Sequence, residues 1–155
     1  MIFVTVGTHN QGFERLIKKM DEIAGKIDEE IVMQVGYTDY EPENAEWFEF
    51  CEYEELLSFI KRSDVIICHG GAGTLLDSLK FNKKIVVVPR LEKFDEVYDD
   101  HELELAGSLR IQNRIFIALN VEDLEKVIKE EKFSFDISKN NQKLVNFLKN
   151  YLTGD

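Results

Sequence analysis

Ser63-Asp64-Val65-Ile66-Ile67-Cys68-His69-Gly70-Gly71-Ala72-Gly73-Thr74 is the stretch that decides the fold. Val65 to Cys68 is a short unbroken apolar run rich in β-branched residues, which suits a strand buried on both faces. The glycines at 70, 71 and 73 then let backbone turn sharply and approach a ligand closely. Helical spacing resumes over residues 74–81, so the stretch reads as strand, glycine loop and helix.

The same unit recurs on either side. Upstream, residues 54–62 carry Leu56, Leu57, Phe59 and Ile60 at helical spacing. The N-terminal run 2–6 reads as a strand, Gly7-Thr8 as a turn, and Phe13, Leu16, Ile17 and Met20 as the buried stripe of a helix. A second strand covers 31–35, and the aromatic segment 47–51 contains a third, short one. Downstream come a strand at 85–88, a long loop from Pro89, a helix at 100–108, a strand at 115–119 and a helix at 121–129. A last helix, 140–152, places Leu144, Val145, Phe147, Leu148, Tyr151 and Leu152 along one side. Strands that alternate with helices and are apolar on both faces predict an α/β fold, a Rossmann-like doubly wound parallel sheet, because parallel strands need crossover helices. One domain over residues 1–155 is expected, since a chain of 155 residues buries roughly two thirds of its unfolded surface and needs no disulfide or metal to fold.

Composition narrows the function classes. Thirty Asp and Glu against nineteen Lys and Arg give a formal charge of -11, which would repel a phosphate backbone, so nucleic acid is not an expected partner. Cys51 and Cys68 lie in apolar surroundings, the N-terminus does not resemble a signal sequence, and no apolar run reaches the length of about twenty residues a membrane span requires. The expected setting is the cytoplasm.

Ligands of open parallel sheets bind beyond the carboxyl ends of the strands, where helix N-termini favour anions. Three segments qualify: 7–11, 69–77 and 89–102. In the central one, phosphate fits the glycine amides, while Thr74 and Asp77 place a hydroxyl and a carboxylate on one side of the first helical turn, suited to phosphate and ribose. An equally economical reading makes Thr74-x-x-Asp77, Thr8-x-x-Gln11 and Asp99-x-x-Glu102 variant capping boxes. Three such loops at one sheet edge favour a ligand. The spacing fits neither a Walker loop nor Gly-x-Gly-x-x-Gly, which disfavours an ATPase or a NAD enzyme. Cys68 is expected in the core rather than in a dyad with His69, because neighbours leaving a strand point to opposite faces. His9 is read as having no specific role, and His101 as a candidate hydrogen-bond donor to phosphate. Arg90 has two comparable readings, a phosphate partner and a surface salt bridge.

Taken together, residues 3–8, 63–74, 86–90 and 100–106 resemble the C-terminal domain of glycosyltransferase family 28, a GT-B group, nearly end to end. The resemblance is greatest to the small soluble donor-binding subunit of two-chain UDP-GlcNAc and exopolysaccharide transferases. It implies a UDP-sugar cleft with Gly7 and Thr8 near the diphosphate, backbone around Phe50 and Cys51 reading uracil, and His69, Gly70, Gly71, Ala72, Gly73 and Thr74 at phosphates and ribose. Asp77 stands where the family usually has a ribose-binding Glu, and His101-Glu102 where it commonly has His or Gln followed by Gln. The shorter Asp77 withdraws its carboxylate by one methylene, and Glu102 exchanges amide donors for a charge. No cofactor or metal is implied. The absent acceptor domain implies a membrane-anchored, acceptor-binding partner, for which the apolar side of 140–152 is a candidate docking element, packing on its own domain being the simpler alternative. The expected function is hexose transfer, GlcNAc favoured, to a lipid-linked acceptor. A non-catalytic nucleotide-sugar sensor and a structural interaction protein are the alternatives. Gly71→Val is expected to abolish donor binding by filling the space phosphate needs.

Overall fold

The computed structural model describes residues 1–96 and 115–129. Within them, β1 (Ile2–Thr5), β2 (Ile31–Gln34), β3 (Glu46–Phe48), β4 (Val65–Cys68), β5 (Lys84–Val87) and β6 (Phe116–Ile117) form one sheet in the order β3-β2-β1-β4-β5-β6. Every neighbouring pair is parallel, and Val4 of β1 lies between Met33 of β2 and Ile67 of β4. The order reverses direction between β1 and β4, so loops leaving these two strands diverge and open a crevice at their carboxyl ends.

Side-chain alternation divides the core into two layers, as the doubly wound reading requires. On one face, Ile2, Val4, Met33 and Ile67 meet Leu16, Ile17, Met20 and Ile23 of helix α1 (Glu14–Ala24). These four α1 residues are fully buried, each stabilising the fold by about 1.5–3 kcal/mol. On the other face, Phe3, Ile66 and Val87 meet Ile60 of helix α2 (Tyr53–Arg62) and Leu75 of helix α3 (Ala72–Lys80). Phe59 stacks on both Phe3 and Phe48, with ring centroids 5.2 and 5.1 Å away, joining α2 to the central strand and to the edge. Cys68 is fully buried in this second layer, as expected for a strand residue pointing away from the loop edge.

The element boundaries differ from the sequence reading in ways that matter for the site. Helix α3 begins at Ala72, two residues before the expected start, with Gly71 as its N-cap. Thr74 is therefore inside the helix and caps nothing, and the capping-box reading of Thr74-x-x-Asp77 is corrected. Thr8-x-x-Gln11 fails likewise, because α1 starts only at Glu14 and the Gln11 amide donates to His9 Nδ1 at 3.2 Å. Asp99-x-x-Glu102 and the helices expected at 100–108 and 140–152 lie outside the described residues. The segment expected as helix 121–129 opens with a 3-10 turn at Val121–Asp123, where the Asn120 side chain accepts from the Glu122 amide, and continues as α4 (Leu124–Lys129).

Asp21, on α1, organises the approach to β3. Its buried carboxylate accepts from Tyr40 Oη at 2.7 Å, from the Asn44 amide at 2.8 Å and from the Glu43 amide at 3.1 Å. Burial pushes this carboxyl up, but hydrogen bonds from Tyr40, Asn44 and Glu43 outweigh it and hold the group below its ordinary value.

Candidate functional site

Thr5 and Gln34 end adjacent strands in register, and both are buried. Thr5 Oγ1 donates to Gln34 Oε1 at 2.6 Å and accepts from the Gly7 amide at 3.2 Å, fixing the first residue of the β1 loop over the strand ends. Gly7 then turns through a left-handed conformation at φ 71°, which favours glycine. Its missing side chain also makes room for His69, since a Cβ here would lie 2.6 Å from His69 Nε2. A Cβ on Gly71 would lie 2.6 Å from His69 Cε1. The nearly buried imidazole is therefore seated between two glycines that arrive from different loops.

This adds a structural cause to the effect expected of Gly71→Val: the new side chain would strike His69, whatever it does to phosphate. Gly73 is the glycine that faces open space, where an added Cβ would meet nothing within 4 Å. Gly70, at φ 98°, makes the turn itself, and a Cβ there would lie 3.0 Å from Val87 Cγ1.

The N-terminus of α3 has no side-chain cap and no acidic residue in its first turn. The Leu75 amide is the first to bond within the turn, to the Gly71 carbonyl at 3.1 Å. The amides of Ala72, Gly73 and Thr74 precede it, at the positive end of the helix dipole, and all three residues line one cleft of about 590 Å³. Gly7, Thr8, Cys51, His69, Gly71 and Asp77 line it as well, so nine of the residues read from the sequence converge there. The lining contains no Lys or Arg among the described residues, which leaves backbone amides, the helix dipole, the Thr8 and Thr74 hydroxyls and two histidines to meet an anion.

Three sequence-predicted residues stand elsewhere. Phe50 is 41% exposed and packs edge-on against Tyr37, with centroids 4.9 Å apart, outside the cleft lining. Gly70 supports the loop from behind. Arg90 is fully buried rather than at the surface, stands outside the cleft lining, and donates to the carbonyls of Val6, Gln11, Gly12 and Glu96 at 2.8–3.1 Å. A guanidinium beside β5 satisfies those carbonyls with its fan of donors and lies over the Phe13 ring at 4.9 Å, tying the loop after β1 to the loop after β5. His101 and Glu102 lie outside the described residues.

The structure also brings in residues the sequence reading passed over. Thr5 and Gln34 line the cleft, and a polar residue ending an otherwise apolar strand was the available signal. His9, read as having no specific role, lines it too. Tyr53 and Leu56 enter from the first turn of α2, a contribution that depends on α2 packing beside α3. Tyr53 Oη donates to Asp77 Oδ2 at 3.0 Å, and Lys80 Nζ to Asp77 Oδ1 at 3.1 Å, so the Asp77 carboxylate is held on both oxygens. Burial, with Glu55 and Glu52 nearby, pushes the Cys51 thiol up, which keeps it protonated and a poor nucleophile.

Comparison with known proteins accords with this arrangement. The human UDP-N-acetylglucosamine transferase subunit ALG13 is 30% identical over 126 residues, which cover 74% of this chain and 11% of that protein. The Candida glabrata protein of the same name is 28% identical over 118 residues, covering 73% of this chain and 56% of that one. The chain thus spans less than two thirds of either relative. Among solved structures, the glycotransferase of kitacinnamycin superposes with a TM-score of 0.68 at 18% identity, over 96% of this chain and 39% of that one. Acinetobacter baumannii MurG gives 0.55 at 22% identity, over 81% and 39%. These likenesses show a shared Rossmann-like fold, and residues 1–150 match the family described as the glycosyltransferase family 28 C-terminal domain. The chain is a member of that glycosyltransferase family.

Proposed function

We propose that this chain is the UDP-sugar-binding subunit of a two-component glycosyltransferase that moves a hexose, N-acetylglucosamine favoured, to a lipid-linked acceptor. The observation that carries the reading is the uncapped N-terminus of α3, whose first three residues line a cleft at the switch point of the sheet. A diphosphate placed there accepts from the Ala72, Gly73 and Thr74 amides, with Gly7, Thr8 and His69 around it. The nucleoside then runs toward Asp77 of α3 and toward Tyr53 and Cys51, at and just before the start of α2, all of which line the cleft. The relatives named UDP-N-acetylglucosamine transferase subunit support both the donor and the division of labour between chains.

In transfer, an acceptor hydroxyl attacks the donor's anomeric carbon, the bond from that carbon to the β-phosphate oxygen breaks, and its electron pair stays on the diphosphate. This chain orients the donor and stabilises the departing charge through amides and helix dipole. The acceptor and the base that takes its proton come from a partner, membrane-anchored in this reading, which holds the chain at the cytoplasmic membrane face. Among the described residues no helix is long and apolar enough to cross a membrane, which is compatible with such peripheral attachment. The calorimetric test uses UDP and UDP-GlcNAc. Binding by the chain, with turnover only after the partner is added, is the expected result. No binding at millimolar ligand, alone or with partner, defeats the donor-site reading, and full transfer by the chain alone defeats the division of labour.

A further inference from the structure

We infer that the Tyr53 hydroxyl, with its proton committed to Asp77, is the acceptor that reads a ribose hydroxyl in this cleft and makes the site selective for ribonucleotides over their deoxy analogues. The inference rests on the donor-site reading above and assigns its sugar selectivity to a residue of α2.

Asp77 lies one turn beyond Thr74 on α3, about 4.5 Å along the helix axis at 1.5 Å per residue. A ribose attached to a phosphate on the first-turn amides can therefore extend along α3 toward this turn. Asp77 itself is poorly placed to meet the ribose. It is only 6% exposed, and one lone pair of each carboxylate oxygen is engaged by a neighbour, Oδ2 by Tyr53 and Oδ1 by Lys80, so burial rather than a lack of acceptor sites holds it back. Tyr53 is 53% exposed, lines the same cleft, and holds the Asp77 Oδ2 through its hydroxyl, so it is the accessible member of the pair.

A phenol has one proton to donate and two lone pairs to accept with. An ionised carboxylate can only accept, so the Tyr53 proton is directed at Asp77 and the lone pairs remain for a donor from the cleft. Donation to a charged acceptor polarises the hydroxyl and strengthens it as an acceptor in turn. The hydrogen bond to Asp77 pushes the phenol above its ordinary value, so this protonation pattern holds throughout the neutral range. A ribose hydroxyl is the complementary donor, and the short Asp77 acts through Tyr53 to reach it.

Tyr53→Phe removes the acceptor and keeps the ring. Affinities for UDP, 2′-deoxy-UDP and 3′-deoxy-UDP are measured by calorimetry in the native chain and the variant. The native chain is expected to bind UDP at least tenfold more tightly than one of the deoxy analogues. In Tyr53→Phe that ratio falls to near one, through loss of UDP affinity alone. Retention of the native ratio overturns the inference, and so does an equal loss for UDP and both analogues, which a merely structural wall would produce. Failure of the native chain to bind UDP at all instead removes the donor-site reading beneath it. If Tyr53→Phe does not fold, Asp77→Asn provides the reading: it keeps the phenol but removes the charge that fixes its proton, and an unchanged ratio there overturns the inference.

Discussion

A Cβ on Gly71 would lie 2.6 Å from the His69 ring, whereas one on Gly73 meets nothing within 4 Å. Two glycines that both line the cleft therefore answer to different requirements, Gly71 to the His69 ring packed against it and Gly73 to open space. Gly73→Ala is expected to leave the melting temperature unchanged or slightly raised, because alanine is the better helix former by up to about 1 kcal/mol. Its UDP affinity is expected to fall tenfold or more, since the added methyl keeps phosphate off the first-turn amides. Full affinity in this variant, measured by calorimetry, contradicts the amide cradle. Gly71→Ala is expected to behave in the opposite way, losing about 1–3 kcal/mol in chemical denaturation as the imidazole is displaced. Arg90 illustrates the same point about position: its terminal nitrogens donate to four backbone carbonyls, so its contribution to the site is the shape of the β1 loop.

At the scale of elements, the edge of the sheet depends on α1 through Asp21. Its carboxylate collects the Tyr40 hydroxyl and the Glu43 and Asn44 amides just before β3. Asp21→Ala leaves these donors without their acceptor and is expected to cost about 2–4 kcal/mol. The folded-state value is lowered from 3.8, so the ionised form contributes stability that is complete above that value and is lost as pH falls through the lowered one. The stability gap between the native chain and Asp21→Ala, from urea midpoints, is therefore expected to be constant from pH 7 to about 5 and to narrow below about 4. A gap independent of pH across that range would show that the carboxylate's charge contributes nothing to the turn.

For the molecule as a whole, the cleft at the switch point is lined by loops that belong to both halves of the sheet, so a nucleotide bound there, as proposed, would couple them. If the proposed donor site is right, UDP at a hundredfold excess over Kd is expected to stabilise the fold by about 2.7 kcal/mol, read as a shift of the urea midpoint. Hydrogen exchange should show added protection at residues 7–9 and 72–74, beyond the uniform global increase, and none beyond it in the turn at 40–44. Local protection spread evenly over the sheet would place the ligand elsewhere. The apolar side of 140–152 and the pair His101-Glu102 remain expectations from sequence, lying outside the described residues.

Among the described residues, the order of strands and helices, the two-layer core and the position of the glycine loop were legible in the sequence, because each depends on local periodicity and on the requirement that parallel strands be joined by crossovers. Val65 to Cys68 could only be a buried strand, and the glycines after it marked the edge where a ligand would bind. The roles within that edge were decided by contacts between segments distant in sequence. Arg90 has the chemistry of a phosphate ligand, but it donates to four carbonyls from two loops, the one after β1 and the one after β5. Gly7 and Gly71 have the freedom of ligand contacts, but His69 fills the space between them. Tyr53 carried no signal at all, since its partner Asp77 lies 24 residues away and reaches it only when α2 and α3 pack side by side.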